Sequence, residues 1–593
     1  MRLQIKKSKN AASLYMIKDI TRDGKRTSKI VEKLGTLKEL SEKLENQDPI
    51  EWAKEYIANL NKETKLGTAP VLITKSPTKL IEKDLQNSFN CGYLFLQKIY
   101  HELGLNSICK EISDNYKFKY DLDNILSRLI YGRIIYPSSK LSTSKLSNKF
   151  IEPPTFKWFE VYPALEVISK EADFIQAELY KNSLNISKRN TSILYYDLTN
   201  YFFEIEEEEG IKKYGKGKDN KPNPLVQMGL FMDGNGIPLA FCINPGNTNE
   251  QITLKPLEQK ILDDFKLSKF IVCTDAGLAS DANRKFNDKD DRAFITTQSI
   301  KKLKDFLKEW SLAPNGWRIS EPKNRTEEDK IYNINELEKT EESRELYKDR
   351  TFYKERWIKE TGLEQRLIVT YSIKYKDYHR KIRDAQIERA VKLIEKNPAK
   401  LDKANQNDFK RFIEKTSCTD DGEVAENVIY SIDSVVIANE EMFDGFYGVC
   451  TNLDDDIEGI IEVNRKRWEI EESFRIMKSE FKARPVYLKR DDRITAHFTT
   501  CFIALLVYRL LEKRLEENSF KENFTSSKII ETLREMYLLK EEDGYIPAYT
   551  RSNLTDVLHE NFKFRTDYEI VNMTVIKKIL NETKKWKVYA FFY

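Results

Sequence analysis

One stretch constrains this chain more than any other: Asn464-Arg-Lys-Arg467-Trp-Glu-Ile-Glu471-Glu-Ser-Phe-Arg-Ile-Met-Lys478. It holds no proline or glycine, and its spacing predicts one helix. At about 100° per residue, Ile470, Phe474, Met477 and Phe481 share a face. With Ile470 at zero, Arg467, Glu471, Lys478 and Asn464 fall at roughly 60° to 120°. An acid between two cations therefore lines the edge of a buried face. A carboxylate there can meet a metal while the cations meet phosphate. The same pattern also fits an amphipathic helix with i,i+4 ion pairs on its wet side. The rest of the chain has to decide between them.

A chain of 593 residues, 40% hydrophobic and 33% charged, can bury several cores beneath a charged surface. Its 99 basic and 95 acidic residues nearly cancel, so affinity for nucleic acid must come from local clusters. Residues 1–40 supply one, with eleven Lys or Arg against four Asp or Glu. The seven cysteines form no CxxC pair, and the four histidines form no HExxH. This argues against structural zinc, a disulfide scaffold and a zinc hydrolase, and fits a reducing compartment. The first residues, MRLQIKKSKN, read as no signal peptide. The most apolar run, Phe498 to Tyr508, is shorter than the roughly 20 residues that a bilayer span needs. The expectation is a cytoplasmic protein without a membrane partner.

Along the chain, the alternation from Ser13 to Ile20, a turn at Asp23-Gly24 and a strand towards Val31 predict a basic hairpin. A helix over 39–64 and a linker marked by Gly67, Pro70 and Pro77 complete a segment 1–79. Residues 80–185 read as helical, with Leu122, Ile125, Leu126, Leu129 and Ile130 at helical spacing. Pro137-Ser-Ser-Lys140 breaks that helix and sets basic and hydroxyl groups in a turn. Both segments are candidate DNA-binding regions.

At Thr191 the period changes. A strand from Ile193 to Thr199 carries Asp197 at its end, and strands at Leu225–Met232 and Ile237–Ile243 flank a turn at Asp233-Gly-Asn-Gly236. The Gly-Lys run at 212–218 lacks the spacing of a phosphate-binding P-loop. Helix 251–265, a strand from Lys269 to Thr274 ending on Asp275, helix 280–287 and strand Ala293–Thr297 follow. That order predicts a mixed α/β sheet over 186–300. A charge-rich, mainly β insertion occupies 301–433, with a strand at Arg366–Ser372 and a helix at Arg383–Lys396. The sheet resumes over 434–515, with strands Val435–Ala438 and Phe446–Thr451, the glutamate helix and an amphipathic helix Arg493–Leu515. Residues 516–593 form a C-terminal region assigned to oligomerisation.

Three acids stand out by position. Asp197 and Asp275 end strands, where ligand groups of open α/β sheets collect. An acid closing a run as apolar as Phe270-Ile-Val-Cys-Thr-Asp275 is costly unless paired or metal-bound. Either aspartate also reads as a turn or cap acid. Glu471 is the third.

At these residues the chain resembles the DDE transposases of bacterial insertion sequences, in the insertion-sequence-four superfamily. Arg467, Glu471 and Lys478 match the Tyr-x2-Arg-x3-Glu-x6-Lys signature, with Asn464 at the tyrosine position. Tyr196-Asp-Leu-Thr199, Gly246-Asn-Thr248, Thr274-Asp-Ala-Gly277, Phe443-Asp-Gly445, Thr451-Asn452 and Arg484-Pro485 resemble further family stretches, in the family's order. The resemblance implies a ribonuclease H-like catalytic domain interrupted by an insertion. It also implies cut-and-paste transposition, with Asp197, Asp275 and Glu471 holding two Mg²⁺ (or Mn²⁺). Arg467, Lys478 and Asn464 would contact DNA. The implied partners are terminal inverted repeats and target DNA, bound by a homodimer that is nucleoid-associated on DNA. Two other readings use the same acids: a ribonuclease H-like nuclease, and a silent transposase-derived DNA-binding protein.

Overall fold

The computed structural model describes all residues except 9–10, 23–24, 45–46, 67–74, 79, 218–221, 397–407, 418–427, 517–519 and 586–593. It divides into two compact units. One comprises residues 1–171, 480–482 and 499–593, and the other residues 172–479 and 483–498.

In the first unit, β1 (Arg2–Lys7), β2 (Ala12–Arg22) and β3 (Lys25–Thr36) form an antiparallel sheet, so the basic hairpin gains a strand that its sequence hid. The Asp23-Gly24 turn, and Gly67 and Pro70 of the linker, lie outside the described residues. The expected helix over 39–64 is two helices, Leu37–Lys43 and Pro49–Leu66. Thr36 caps the first through a capping box with Glu39. A short strand, β4 (Ser88–Asn90), precedes a run of helices from Tyr93 to Lys170. The Pro137–Lys140 turn does not present its lysine. Ser139 caps the helix Lys140–Leu146, and burial pushes the Lys140 ammonium down to about 7.

The second unit is built on a mixed sheet. Its strands are β5 (Ile193–Phe202), β6 (Leu225–Asp233), β7 (Pro238–Pro245), β8 (Ile271–Thr274), β9 (Ala293–Gln298), β10 (Arg318–Ile319), β11 (Phe352–Glu360), β12 (Leu363–Tyr371) and β15 (Phe446–Thr451). Between the last two lies a separate hairpin of β13 (Ile413–Ser417) and β14 (Val428–Ile432). The sheet runs β10-β11-β12-β15-β9-β8-β5-β6-β7. The pairs β5–β8 and β8–β9 are parallel, and the other neighbours are antiparallel.

Three expectations need correction. β5 does not end on its acid: it continues to Phe202, so Asp197 lies mid-strand, paired with Leu230 of β6. The residues 301–433 are not a mainly β insert apart from the sheet. Strands β10–β12 extend the sheet itself, and helices such as Ile373–Lys396 fill much of the rest. The Val435–Ala438 stretch is helical, because Asp433 accepts hydrogen bonds from the Val435 and Val436 amides and caps the helix Ser434–Glu441. A cap thereby outweighs the β preference of two valines.

Within this unit, Leu194, Tyr196 and Leu198 of β5 pack with Leu254, Leu257 and Ile261 of the helix Leu254–Asp264. That helix also buries Glu258 completely. Burial pushes the Glu258 carboxyl up to about 8, against the opposing pull of Asn287, Arg292 and Lys255.

In the remaining chain, β16 (Tyr537–Lys540), β17 (Gly544–Pro547) and β18 (Val571–Asn572) join β4 in a four-stranded sheet. The helix expected at Arg493–Leu515 spans Asp491–Glu516 and is not amphipathic: nearly every position from Ala496 to Leu511 is buried. Among the described residues it is the one helix long and apolar enough to cross a membrane, yet 89% of its apolar window is buried inside the protein. A helix apolar all round is what a core position demands.

The buried Glu258 makes a testable contribution to stability. Its folded pKa lies above its unfolded value, so the folded state holds a proton that the unfolded state releases from about pH 4.3 upward. Stability from this group is present at low pH and is lost as pH rises through about 8. Glu258→Gln cannot ionise, so its melting temperature relative to the wild type should rise between pH 5 and pH 8.5, read by thermal denaturation. An equal offset at both pH values would refute this account.

Candidate active site

The two faces of β5 have different partners. Even positions meet the helix Leu254–Asp264, and odd positions face the segment 457–480. Tyr195 donates to the Val463 carbonyl at 2.9 Å, and the Tyr201 hydroxyl lies 3.9 Å from the Met477 sulfur. Six strand residues at about 3.3 Å each cover about 20 Å. Fourteen helical residues at about 1.5 Å each cover about 21 Å. The helical segment therefore runs alongside β5 without gaining or losing ground. Asp197, a third of the way from Tyr195 to Tyr201, falls beneath Arg467.

Asp275 reaches the same face through strand register. In the parallel pair, Ile193 sits beside Ile271 and Tyr195 beside Cys273. Continuing that register by two residues sets Asp197 beside Asp275, which directly follows β8. Residues two apart on a strand share a face, so the acids stand next to each other on the side of the helical segment. Asp197 is 6% exposed, and its Oδ1 accepts from the Leu198 amide at 2.8 Å. Asp275 Oδ1 accepts from the amides of Gly277 and Leu278 at 3.0 and 3.2 Å. Those bonds close the turn and leave the other oxygen for a ligand.

The helix that carries Glu471 is not continuous. It comprises Ile457–Arg465 and Trp468–Arg475, then a π-helical turn at Ile476–Glu480. At the junction, amide bonds from Arg467 to Asn464 and from Ile470 to Arg467 span three residues instead of four. This tightening moves Arg467 relative to a uniform helix. Ile470, Phe474 and Met477 are buried as their spacing predicts.

Arg467 links the acids. Burial alone would lower its pKa, but Tyr447, Asp197, Glu471 and Asp275 raise it above the usual arginine value. All three acids singled out in the sequence thus act on one guanidinium. Glu471 is also its ion-pair partner at 3.5 Å, with a side chain 60% exposed. The structure brings Asp197 and Asp275 together and leaves Glu471 on the wet side of Arg467. Among the described residues, no group of three His, Cys, Asp or Glu side chains is arranged to hold a metal ion. The donor chemistry of the aspartate pair suits a hard cation, since both supply carboxylate oxygen.

The other two expected DNA contacts differ. The Lys478 ammonium sits 5.6 Å from the centre of the Tyr201 ring, on the π-helical turn. Asn464 is buried instead. Its Nδ2 donates to the Tyr447 hydroxyl at 3.3 Å, and Cys273 lies against its Oδ1. It ties the helix to the sheet. Burial pushes the Cys273 thiol up to about 12 despite Arg467, so it stays protonated and inert.

One acid of this region has little sequence signal. A Cβ placed on Gly277 would lie 3.3 Å from Asp275 Oδ1 and 3.7 Å from Glu250 Oε2. Glu250 therefore borders the same opening. Only its place just after Gly246-Asn-Thr248 hints at this.

The profile of the family described as "Transposase DDE domain" matches residues 198–507, more than half of the chain. The match starts one residue after Asp197 and includes Asp275, Arg467, Glu471 and Lys478. No curated protein matches the sequence. Among solved structures, a piggyBac transposase synaptic complex with hairpin DNA is similar, at 8% identity and a TM-score of 0.33, covering 83% of this chain and 84% of that one. At that score the likeness carries no argument. By the family match, the chain belongs to the transposase DDE domain family.

Proposed function

We propose that this protein is a DNA transposase of the insertion-sequence-four type, acting by metal-dependent cut-and-paste on the ends of a mobile element. The observation that carries the reading is the aspartate pair, Asp197 on β5 and Asp275 directly after the parallel strand β8, both acting on the Arg467 guanidinium. The sheet order, with antiparallel β5–β7 followed by the parallel pair β5–β8, supports a ribonuclease H-like catalytic domain.

Asp197 and Asp275 would hold Mg²⁺ or Mn²⁺, and Glu471 would complete the set after exchanging Arg467 for metal. When bound, a metal pair clamps the attacking and leaving oxygens of an in-line phosphoryl transfer. The chain's own groups do the rest. Arg467, freed from Glu471, presents a planar fork that suits two phosphate oxygens. Lys478 supplies a point charge for a neighbouring phosphate, held over Tyr201. The half-buried position of Arg467 makes each contact stronger than it would be in bulk water. The basic sheet of residues 1–36 adds affinity that does not depend on sequence, and the C-terminal region is assigned to pairing of two copies on DNA.

The catalytic assignment is tested on a duplex that carries the DNA flanking the gene. The wild type should nick it with Mg²⁺ or Mn²⁺, and Ca²⁺ should permit binding with little cleavage. Asp197→Ala, Asp275→Ala and Glu471→Ala should each abolish nicking and leave end binding nearly unchanged. Full cleavage by any one of them removes that residue from the set. Wild-type protein that binds but never cleaves indicates a silent descendant. Binding should weaken with salt, with a log–log slope of about −0.9 per phosphate contact.

The two cations should behave differently. Lys478→Ala should reduce cleavage without lowering the melting temperature. Arg467→Met should lower it, because three acids lose their shared counter-charge. Adding Asp197→Asn should recover part of the loss, with a coupling of about 0.5–3 kcal/mol in a double-mutant cycle by urea denaturation. Strict additivity would show that Arg467 and Asp197 do not interact.

A further inference from the structure

In the first unit, the short turn Trp158–Glu160 carries two adjacent aromatic rings into solvent. Trp158 is 54% exposed and Phe159 51% exposed, with ring centres 6.0 Å apart at 81°. The helix Lys140–Leu146 packs against this turn and adds exposed Leu141. The exposed charge of the stretch itself is basic, and the nearest exposed acid, Asp121, accepts from the Thr155 hydroxyl at 3.1 Å. Every exposed charged residue between 139 and 160 is a lysine: Lys145, Lys149 and Lys157. The Lys157 ammonium lies 5.9 Å from the centre of the Phe159 ring. Glu160, the nearest acid in sequence, is partly exposed and accepts from the Lys157 amide at 2.7 Å.

Two exposed aromatic rings beside cations are the elements of a base-stacking surface. Lysines track the phosphates and rings stack on the bases. Bases inside a duplex are already stacked on each other, so the fitting occupant is an unpaired strand. A second copy of this chain fits poorly. A two-fold contact would set one lysine-bearing patch against another, and lysine is depleted at protein interfaces.

We propose that the Trp158–Phe159 turn, with Lys145 and Lys157, binds unpaired nucleotides of DNA by stacking and charge. The inference rests on the transposase reading, in which strand cleavage exposes unpaired bases at element ends. Its test does not need cleavage. Binding of a fluorescently labelled mixed-sequence single strand is measured in EDTA by anisotropy, beside the equivalent duplex.

Trp158→Ala/Phe159→Ala should weaken single-strand binding at least about tenfold, as expected when one or two bases no longer stack, and should change duplex binding far less. Trp158→Phe should retain most of the affinity. Lys145→Glu/Lys157→Glu should weaken binding and reduce the salt slope by about 0.7 for each phosphate no longer neutralised. If the alanine variant fails to fold, the charge variant on exposed lysines carries the test. Unchanged single-strand affinity in the folded variants overturns the proposal. So does a drop in oligomeric mass with affinity intact, which would make the turn a contact between copies. Asp197→Ala should still bind the single strand, so a failure of the catalytic assignment is read separately from a failure here.

Discussion

The candidate site depends on one backbone registry, the parallel pairing of β5 with β8. Strand side chains alternate between faces, so a slip of one residue would send Asp275 to the opposite side from Asp197. The registry is held because both faces are occupied. Leu194, Tyr196 and Leu198 are buried against one helix, and Tyr195 and Tyr201 meet the 457–480 segment on the other side. A slip would place Tyr195, Asp197 and Thr199 where Leu194, Tyr196 and Leu198 now pack. Asn464 adds a lock, since it touches Tyr447 of β15 and Cys273 of β8 together.

The electrostatics follow from that placement. Neighbouring carboxylates in a half-buried setting repel, and a single guanidinium compensates them. Arginine suits this place better than lysine, because burial does not discharge it. The same burial pushes Lys140 down to about 7, which shows what an ammonium suffers without a counter-charge. Glu471 holds Arg467 on the solvent side, where an exposed ion pair contributes little and a polyanion can displace it.

Much of this was legible in the sequence. The spacing of Ile470, Phe474 and Met477 gave the buried face correctly, and the order of strands and helices from Ile193 to Gln298 appears as the periodicity predicts. The misses have local causes. β5 outran its expected end because Asn200 and Tyr201 are buried in a strand that is covered on both sides, where polar residues give no stop signal. The junction at Lys466–Arg467 has no proline or glycine to announce it, since tertiary contacts set it. Asn464 shared an angular stripe with Arg467, but its contacts with Tyr447 and Cys273 bury it, and such long-range contacts leave no mark in spacing. Glu250 borders the site from the start of a short 3-10 turn, Glu250–Ile252, whose placement periodicity does not record. The same holds for the joining of β10–β12 to the sheet, a contact between segments distant along the chain.

That joining has a consequence for how such a chain can change. β15 lies between β12 and β9, and β12 covers its outer edge over six paired residues. Excising the segment that carries β10–β12 would leave β15 with a bare row of amides and carbonyls, a template for pairing with other chains. The intervening segment is thus a sheath as well as an elaboration. Shortening it is tolerable where helices and the β13–β14 hairpin lie, and hazardous where the strands run. Any relative with a smaller insertion must blunt that edge in another way, with a charge, a proline or a covering helix.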